Sequence, residues 1–205
     1  MLPKMDKPRI LDIGCGPGRP TIELSRLSNG EIVGIDINQE ALNKFNLLIE
    51  KEGLSNRIKA MNQSIYNTNF PDESFDILWD EGAVHIVDTK KSFKECNRIL
   101  KPNGFFVLGE GIKWFNSVSK EFPKFGFKLV NSFLLPEETW WTEYYKPLEE
   151  SINKLGKREF NSKELEELKR HRSEIEMVKK NPKEFDCGFY IFQKLSEKKS
   201  EKEKE

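Results

Sequence analysis

Arg9-Ile-Leu-Asp-Ile-Gly-Cys-Gly-Pro-Gly18 runs from a short apolar segment into three closely spaced glycines. Ile10, Leu11 and Ile13 read as a parallel strand buried on both faces, because such strands are apolar almost continuously. Asp12 interrupts that run where packing alone would not choose a carboxylate. Gly14, Gly16 and Gly18 let the backbone turn tightly and approach a ligand, since no Cβ stands in the way. Pro20 suits the first turn of a helix, where its missing N–H would be unpaired anyway. That helix carries Ile22, Leu24 and Leu27. A dinucleotide fingerprint, G-x-G-x-x-G, would need a third glycine at position 19, which is Arg. The spacing present is D-x-G-x-G-x-G.

The surrounding chain narrows the reading. At 205 residues it suits one domain with a full core, or one domain with an appendage. The 34 basic and 34 acidic residues cancel, so no global charge draws it to nucleic acid or an anionic membrane. Cys15, Cys96 and Cys187 show no metal-ligand spacing and cannot all pair, which suits a reduced, cytoplasmic protein. No stretch is apolar for long enough to span a membrane, and the first residues are not a signal peptide. No metal site is expected.

A second strand, Glu31 to Ile35, ends at Asp36. An acidic residue at the tip of the strand after a glycine loop is where ribose hydroxyls are held, because a carboxylate accepts two hydrogen bonds from a diol. It could instead cap the helix Gln39 to Glu52, a task open to Asn38 as well. That helix places Ala41, Leu42, Phe45, Leu48 and Ile49 at helical spacing, and Gly53 stops it. A third strand, Arg57 to Met61, leads to Gln63-Ser64-Ile65-Tyr66. Phe70-Pro-Asp-Glu-Ser-Phe-Asp-Ile-Leu-Trp79 places turn chemistry before a fourth apolar strand and continues into Glu81-Gly-Ala-Val-His85. A helix from Thr89 to Leu100 then meets Lys101-Pro-Asn-Gly104, where Pro forbids continuation and Asn-Gly turns the chain into the strand Phe105 to Leu108.

These three ordered motifs, across residues 9 to 110, resemble class I S-adenosylmethionine-dependent methyltransferases, in particular the small-molecule branch that includes ubiquinone- and menaquinone-biosynthesis enzymes. The resemblance implies an α/β, Rossmann-like three-layer αβα sandwich. Its seven-stranded sheet would be mostly parallel with the last strand antiparallel. It implies S-adenosyl-L-methionine as cofactor and S-adenosyl-L-homocysteine as product. The cofactor would lie against Asp12, Gly14, Cys15, Gly16, Gly18, Asp36, Ile37, Ser64, Ile65 and Glu81. Asp12 would face its ammonium and Asp36 its ribose. In the family an acidic residue commonly follows the third strand and accepts from the adenine amino group. Ser64 stands there, a weaker acceptor, with the Ile65 amide beside it.

Beyond Gly111, Trp114 to Phe122 reads as a helix, Phe127 to Leu135 as a sixth strand and Asp186 to Lys194 as the last. Between the last two lies a segment far longer than a hairpin loop of about two to five residues. Residues 136–183 are therefore read as a helical lid inserted between strands six and seven, within a domain spanning 1–194. The segment Ser162 to Lys180 places Leu165, Leu168, Ile175 and Val178 on one helical face. Enzymes of the family generally carry helices before the first motif, and with eight residues ahead of Arg9 the insertion would do that covering. Residues 195–205 form a charged tail expected to be disordered.

Trp140, Trp141, Tyr144 and Tyr145 crowd one stretch and could wall a substrate. His85 is the candidate general base, having an unperturbed pKa near neutrality, whereas His171 reads as a surface residue. The function expected is methyl transfer from the sulfonium to a small organic acceptor, with no nucleic-acid partner. The alternatives are an RNA or protein methyltransferase, or a non-catalytic S-adenosylmethionine-binding partner subunit. Against the first, Asp80-Glu-Gly-Ala stands where base-directed amino methyltransferases carry Asn/Asp-Pro-Pro-Tyr.

Overall fold

Alternate residues of the apolar runs go to two separate cores. Leu11, Ile13, Val33, Ile35, Leu78, Phe106 and Leu108 share one cluster, and Ile10, Ile32, Ile77, Val107 and Ile191 share another. Because a strand's side chains alternate between faces, this is a sheet covered on both sides. The computed structural model describes residues 2–155 and 160–195. Its strands are β1 (Arg9–Ile13), β2 (Glu31–Asp36), β3 (Ile58–Asn62), β4 (Phe75–Glu81), β5 (Leu100–Gly111), β6 (Phe127–Leu134) and β7 (Cys187–Lys194). They lie in the order β3-β2-β1-β4-β5-β7-β6. β1 to β5 pair in parallel, and β7 runs antiparallel between β5 and β6. The α/β fold class expected from the sequence is the one observed.

Helices α1 (Arg19–Leu27) and α2 (Gln39–Lys51) bury Ile22, Leu24, Leu42, Phe45 and Ile49 on one face. Helices α3 (Thr89–Ile99) and α4 (Ile112–Val118) bury Phe93, Cys96, Ile99 and Phe115 on the other. Asn38 caps α2 by accepting from the Glu40 and Ala41 amides, so Asp36 is not needed for that task. Leu27, grouped with Ile22 and Leu24 in the sequence, is exposed at the end of α1. The chain order reverses at β1, which has β2 on one side and β4 on the other. In sheets of this kind the crevice outside the carboxyl ends of such strands receives the ligand.

Three boundaries differ from the sequence reading. β5 begins at Leu100, since Leu100 pairs with Phe75 and a bulge absorbs Pro102, Asn103 and Gly104. α4 starts at Ile112 and stops at Val118, and Phe122–Phe125 forms a separate 3₁₀ turn. The insertion is built from a π turn (Trp141–Tyr145), α5 (Lys146–Lys154), α6 (Ser162–Lys180) and a 3₁₀ turn at Pro182–Phe185. On α6, Ile175 and Val178 are buried but Leu165 is exposed, so the apolar face is engaged at its C-terminal half. Apart from Leu195, the tail lies outside the described residues.

The Phe70–Phe75 turn is fastened by Arg98, which donates to the carbonyls of Phe70 (2.8 Å) and Thr68 (3.3 Å) and to the Asp72 and Glu95 carboxylates (2.6 Å each). One guanidinium thus holds the motif that precedes β4 onto α3. Among the described residues no helix is long and apolar enough to cross a membrane, and no group of His, Cys, Asp and Glu could hold a metal ion.

Candidate functional site

The glycine loop between β1 and α1 is shaped by contacts only glycine permits. Gly14 and Gly18 have φ of +68° and +86°. A Cβ on Gly14 would lie 2.3 Å from that of Ala83, and one on Gly18 would sit 1.8 Å from the Phe45 ring. Gly14 is therefore where the loop meets the turn after β4, and Gly18 where it meets α2. Above Gly16 the space is open, with nothing within 4 Å of where a Cβ would stand. The Gly14 and Cys15 amides both donate to the Ile35 carbonyl, at 2.8 and 3.0 Å. The side chain of Cys15 turns away into the core against Gly34, so of this residue only the backbone borders the crevice.

Three carboxylates interact at this end of the sheet. Asp12, at the β1 strand, is buried and accepts from Thr21 Oγ1 at 2.5 Å. Burial pushes its carboxyl up to about 7, helped by the negative charges of Glu81 and Asp36 and opposed by the Thr21 hydrogen bond. Asp36 accepts the Gly16 amide at 2.8 Å and the Asn38 amide at 2.8 Å. Glu81 accepts from Trp79 Nε1 at 2.7 Å. A buried carboxyl raised in part by two neighbouring carboxylates calls for a cation, which suits a ligand carrying both an ammonium and a sulfonium. The loop and its acids fit S-adenosylmethionine.

At the exit of β3 the side chains are less committed. Ile37, at the tip of β2, is 75% exposed, an apolar residue left standing at the mouth of the crevice. Ile65 is buried in the core, so its backbone rather than its side chain is what it can offer. Ser64 accepts from the Tyr66 amide at 3.3 Å. Gln63 was not singled out in the sequence, yet its Oε1 is buried without a hydrogen-bond partner beside that turn, and its amide donates to the Asp36 carbonyl at 3.2 Å.

The exit of β4 carries the remaining chemistry. Asp80 is buried and accepts the Val84 and Ala83 amides at 3.1 and 3.4 Å, which holds the turn leading to His85. Burial, then the Glu110 charge, pushes the Asp80 carboxyl well above its ordinary range. His85 lies in a 3₁₀ turn (Val84–Ile86), with Nδ1 3.2 and 3.1 Å from the two Glu110 oxygens. Glu110 stands near the carboxyl end of β5. It carries the same sequence signal as Asp36, a charge closing an apolar strand.

The aromatic group of the insertion divides. Trp140 and Tyr144 are 38% and 45% exposed and meet edge to face at 5.8 Å. Trp141 lies under Lys179 of α6, with Nζ 5.5 Å from the ring centroid. Tyr145 meets Phe185 at 6.2 Å. The insertion returns onto Cys187, which pairs with Gly111, so it occupies the same end of the sheet as the glycine loop. His171, expected on the surface, is half-buried on α6 with Nδ1 3.6 Å from Glu174. The burial of Ile175 and Val178 on that helix explains the difference.

Comparison with known proteins agrees with this geometry. Residues 11–108 match the model of a family described as a methyltransferase domain. A sterol 24-C-methyltransferase of Gibberella zeae is 34% identical over 103 residues, half of this chain and 27% of that protein. The 27-O-demethylrifamycin SV methyltransferase of Amycolatopsis mediterranei is 31% identical over 111 residues, 54% of this chain and 41% of that one. The chain thus covers less than half the length of either relative. Among solved structures, the [4+2]-cyclase SpnF superposes with a TM-score of 0.79 at 17% identity, covering 93% of this chain and 76% of that one. A methyltransferase from Geobacter sulfurreducens in complex with S-adenosyl-L-homocysteine superposes at 0.72 with 16% identity, covering 93% and 86%. These two show the fold. Residues 11–108, just under half of this chain, thus match the methyltransferase-domain family, on a fold shared with a methyltransferase that binds S-adenosyl-L-homocysteine.

Proposed function

We propose that this chain transfers a methyl group from S-adenosylmethionine to a small organic acceptor. The observation that carries the reading is the interacting group of carboxylates, Asp12, Asp36 and Glu81, beside a glycine loop left open above Gly16. When bound, the cofactor supplies an electrophilic methyl on a cationic sulfur. The chain's own residues hold and orient it. Asp12 would meet the ammonium, Asp36 the ribose hydroxyls while keeping the Gly16 amide, and the exposed Ile37 the adenine. Gln63 or Ser64, with the Ile65 amide, would take the adenine edge.

Catalysis of this kind rests on holding donor and acceptor at roughly 3 Å in a place that excludes water. The insertion, at the same end of the sheet, would provide that exclusion, with Trp140 and Tyr144 toward the acceptor and Trp141 and Tyr145 anchoring the segment. His85 would accept the acceptor's proton. The names of the sterol and rifamycin relatives support an organic acceptor over a macromolecule, as does the balanced charge. Three cysteines without a disulfide fit a cytosolic setting.

Calorimetric titration with S-adenosylmethionine and S-adenosylhomocysteine, with NAD as control, tests the reading. Micromolar binding of the first two and none of the third is expected. Failure of both to bind would sink it.

A further inference from the structure

We propose that Glu110 is the positioning residue of the acceptor site, fixing His85 so that a bare Nε2 receives the proton of an acceptor hydroxyl. The inference rests on the methyl-transfer reading and deepens it. Both Glu110 oxygens lie within 3.2 Å of Nδ1, while the carboxylate side chain is 4% exposed and the imidazole 41%. A carboxylate can only accept, so Nδ1 carries the hydrogen, and in the neutral ring Nε2 is left as the acceptor. The buried partner is thus the orienting group and the open one is the group a substrate can reach.

The turn that carries His85 is held from two sides. Asp80 accepts the Ala83 and Val84 amides, and Ala83 packs against Gly14 of the cofactor loop. His85 is therefore two residues from the contact that ties β4 to that loop. The groups around the pair are Asp80 of β4 and Tyr190 of β7, both under the influence of the Glu110 charge. Trp114 of α4 lies with its ring 6.5 Å from the imidazole. Glu110 raises the His85 pKa from its ordinary value, against the opposing effect of burial.

This arrangement selects among acceptors. A neutral amine attacks with a free lone pair and can lose its proton to water afterwards. A hydroxyl is a poor nucleophile unless its proton leaves as the bond forms, and there an oriented base matters. In the balanced step, the oxygen lone pair forms the O–CH₃ bond and the S–CH₃ bonding pair stays on sulfur. The hydroxyl proton passes to Nε2, giving an imidazolium that Glu110 stabilises.

The test is ¹⁵N NMR titration of the full chain, whose two histidines are assigned with a His171→Gln variant. Wild type should show His85 with hydrogen on Nδ1 in its neutral form. Glu110→Gln should lower its pKa by about 1 unit or more, as expected on losing an adjacent carboxylate. Glu110→Asp should keep most of the elevation. S-adenosylhomocysteine affinity should stay within about twofold in both variants, because Glu110 is outside the cofactor residues. With a hydroxyl acceptor, His85→Asn should lower kcat about 10²-fold or more. Glu110→Gln should lower kcat with KM little changed, move the rising limb of the pH profile to lower pH, and be partly rescued by Glu110→Asp. A His85 whose tautomer and titration ignore Glu110→Gln overturns the proposal. So does a Glu110→Gln enzyme with full kcat on hydroxyl acceptors. Failure of the methyl-transfer reading would appear separately, as wild-type protein that does not bind S-adenosylhomocysteine.

Discussion

Asp36 spans the crevice to the glycine loop: Oδ2 accepts the Gly16 amide and Oδ1 the Asn38 amide, each at 2.8 Å. One carboxylate therefore holds the loop after β1 to the start of α2, and the neighbouring Gln63 amide bonds to the Asp36 carbonyl. The residue expected to bind ribose is also the latch of the loop over which the cofactor would lie.

Asp36→Ala should therefore weaken S-adenosylhomocysteine binding by at least tenfold, about 1.4 kcal/mol. Asp36→Asn should lose less, since its amide oxygen can still accept from Gly16. Calorimetric titration of the two variants checks the order. Wild-type affinity in Asp36→Ala would place the ribose elsewhere.

Two glycines of one motif should respond differently to alanine. At Gly18 the new Cβ meets the Phe45 ring at 1.8 Å, and overpacking of that kind costs about 1–3 kcal/mol beyond the backbone term. At Gly16 only the positive φ opposes it, about 1–2 kcal/mol. Denaturant midpoints should fall further for Gly18→Ala, whereas cofactor affinity should suffer in Gly16→Ala even where the fold persists. Equal midpoints would mean that the Phe45 ring yields freely.

Asp12 predicts a pH effect with a definite sign. Its folded pKa, about 7, lies above the usual carboxylate value, so the folded state binds more protons than the unfolded state between the two. Its contribution to stability is present at low pH and declines as pH rises through that window. Asp12→Asn should flatten this decline, seen as a smaller fall in Tm between pH 5 and pH 8 than in wild type. Binding a ligand ammonium favours the carboxylate, so cofactor binding near pH 6 should release a proton. Calorimetry in buffers of different ionisation enthalpy measures that release, and its absence would remove Asp12 from the ammonium site.

The insertion offers a contrast between neighbours. Tyr145 packs toward Phe185, whereas Tyr144 is 45% exposed. Tyr145→Ala should lower Tm, and Tyr144→Ala should leave Tm nearly unchanged while raising the KM of the acceptor severalfold. A KM untouched by Tyr144→Ala together with Trp140→Ala would return both rings to a purely structural role.

Arg98 should be the costliest polar substitution in the turn before β4. Burial would raise the Glu95 carboxyl, but hydrogen bonds from Arg98 and Thr68 outweigh it and hold the group below its usual range. That stability is present above the unfolded carboxylate pKa and is lost as pH falls through the folded one. Arg98→Leu should cost about 1.5–3 kcal/mol at pH 7, the range for hydrogen bonds to charged groups. It should also shift acid unfolding to higher pH, as followed by circular dichroism. An unchanged acid midpoint would show that Glu95 is not held by Arg98.

Much of this molecule was legible residue by residue. The glycine spacing, Asp12 breaking an apolar run and Asp36 closing the next one are local patterns, because a βα turn that admits a ligand constrains its own few residues. The strands themselves and the helix over Ser162–Lys180 followed from periodicity for the same reason. Glu110 and His85 are far apart in the chain, and no local pattern joins them. Their pairing depends on β4 and β5 lying side by side with their carboxyl ends level. The inward turn of Cys15, the orphaned Gln63 oxygen and the division of the four insertion aromatics likewise depend on what each side chain meets across the fold. Local conformation is set by neighbours in sequence, but burial and charge pairing are set by neighbours in space.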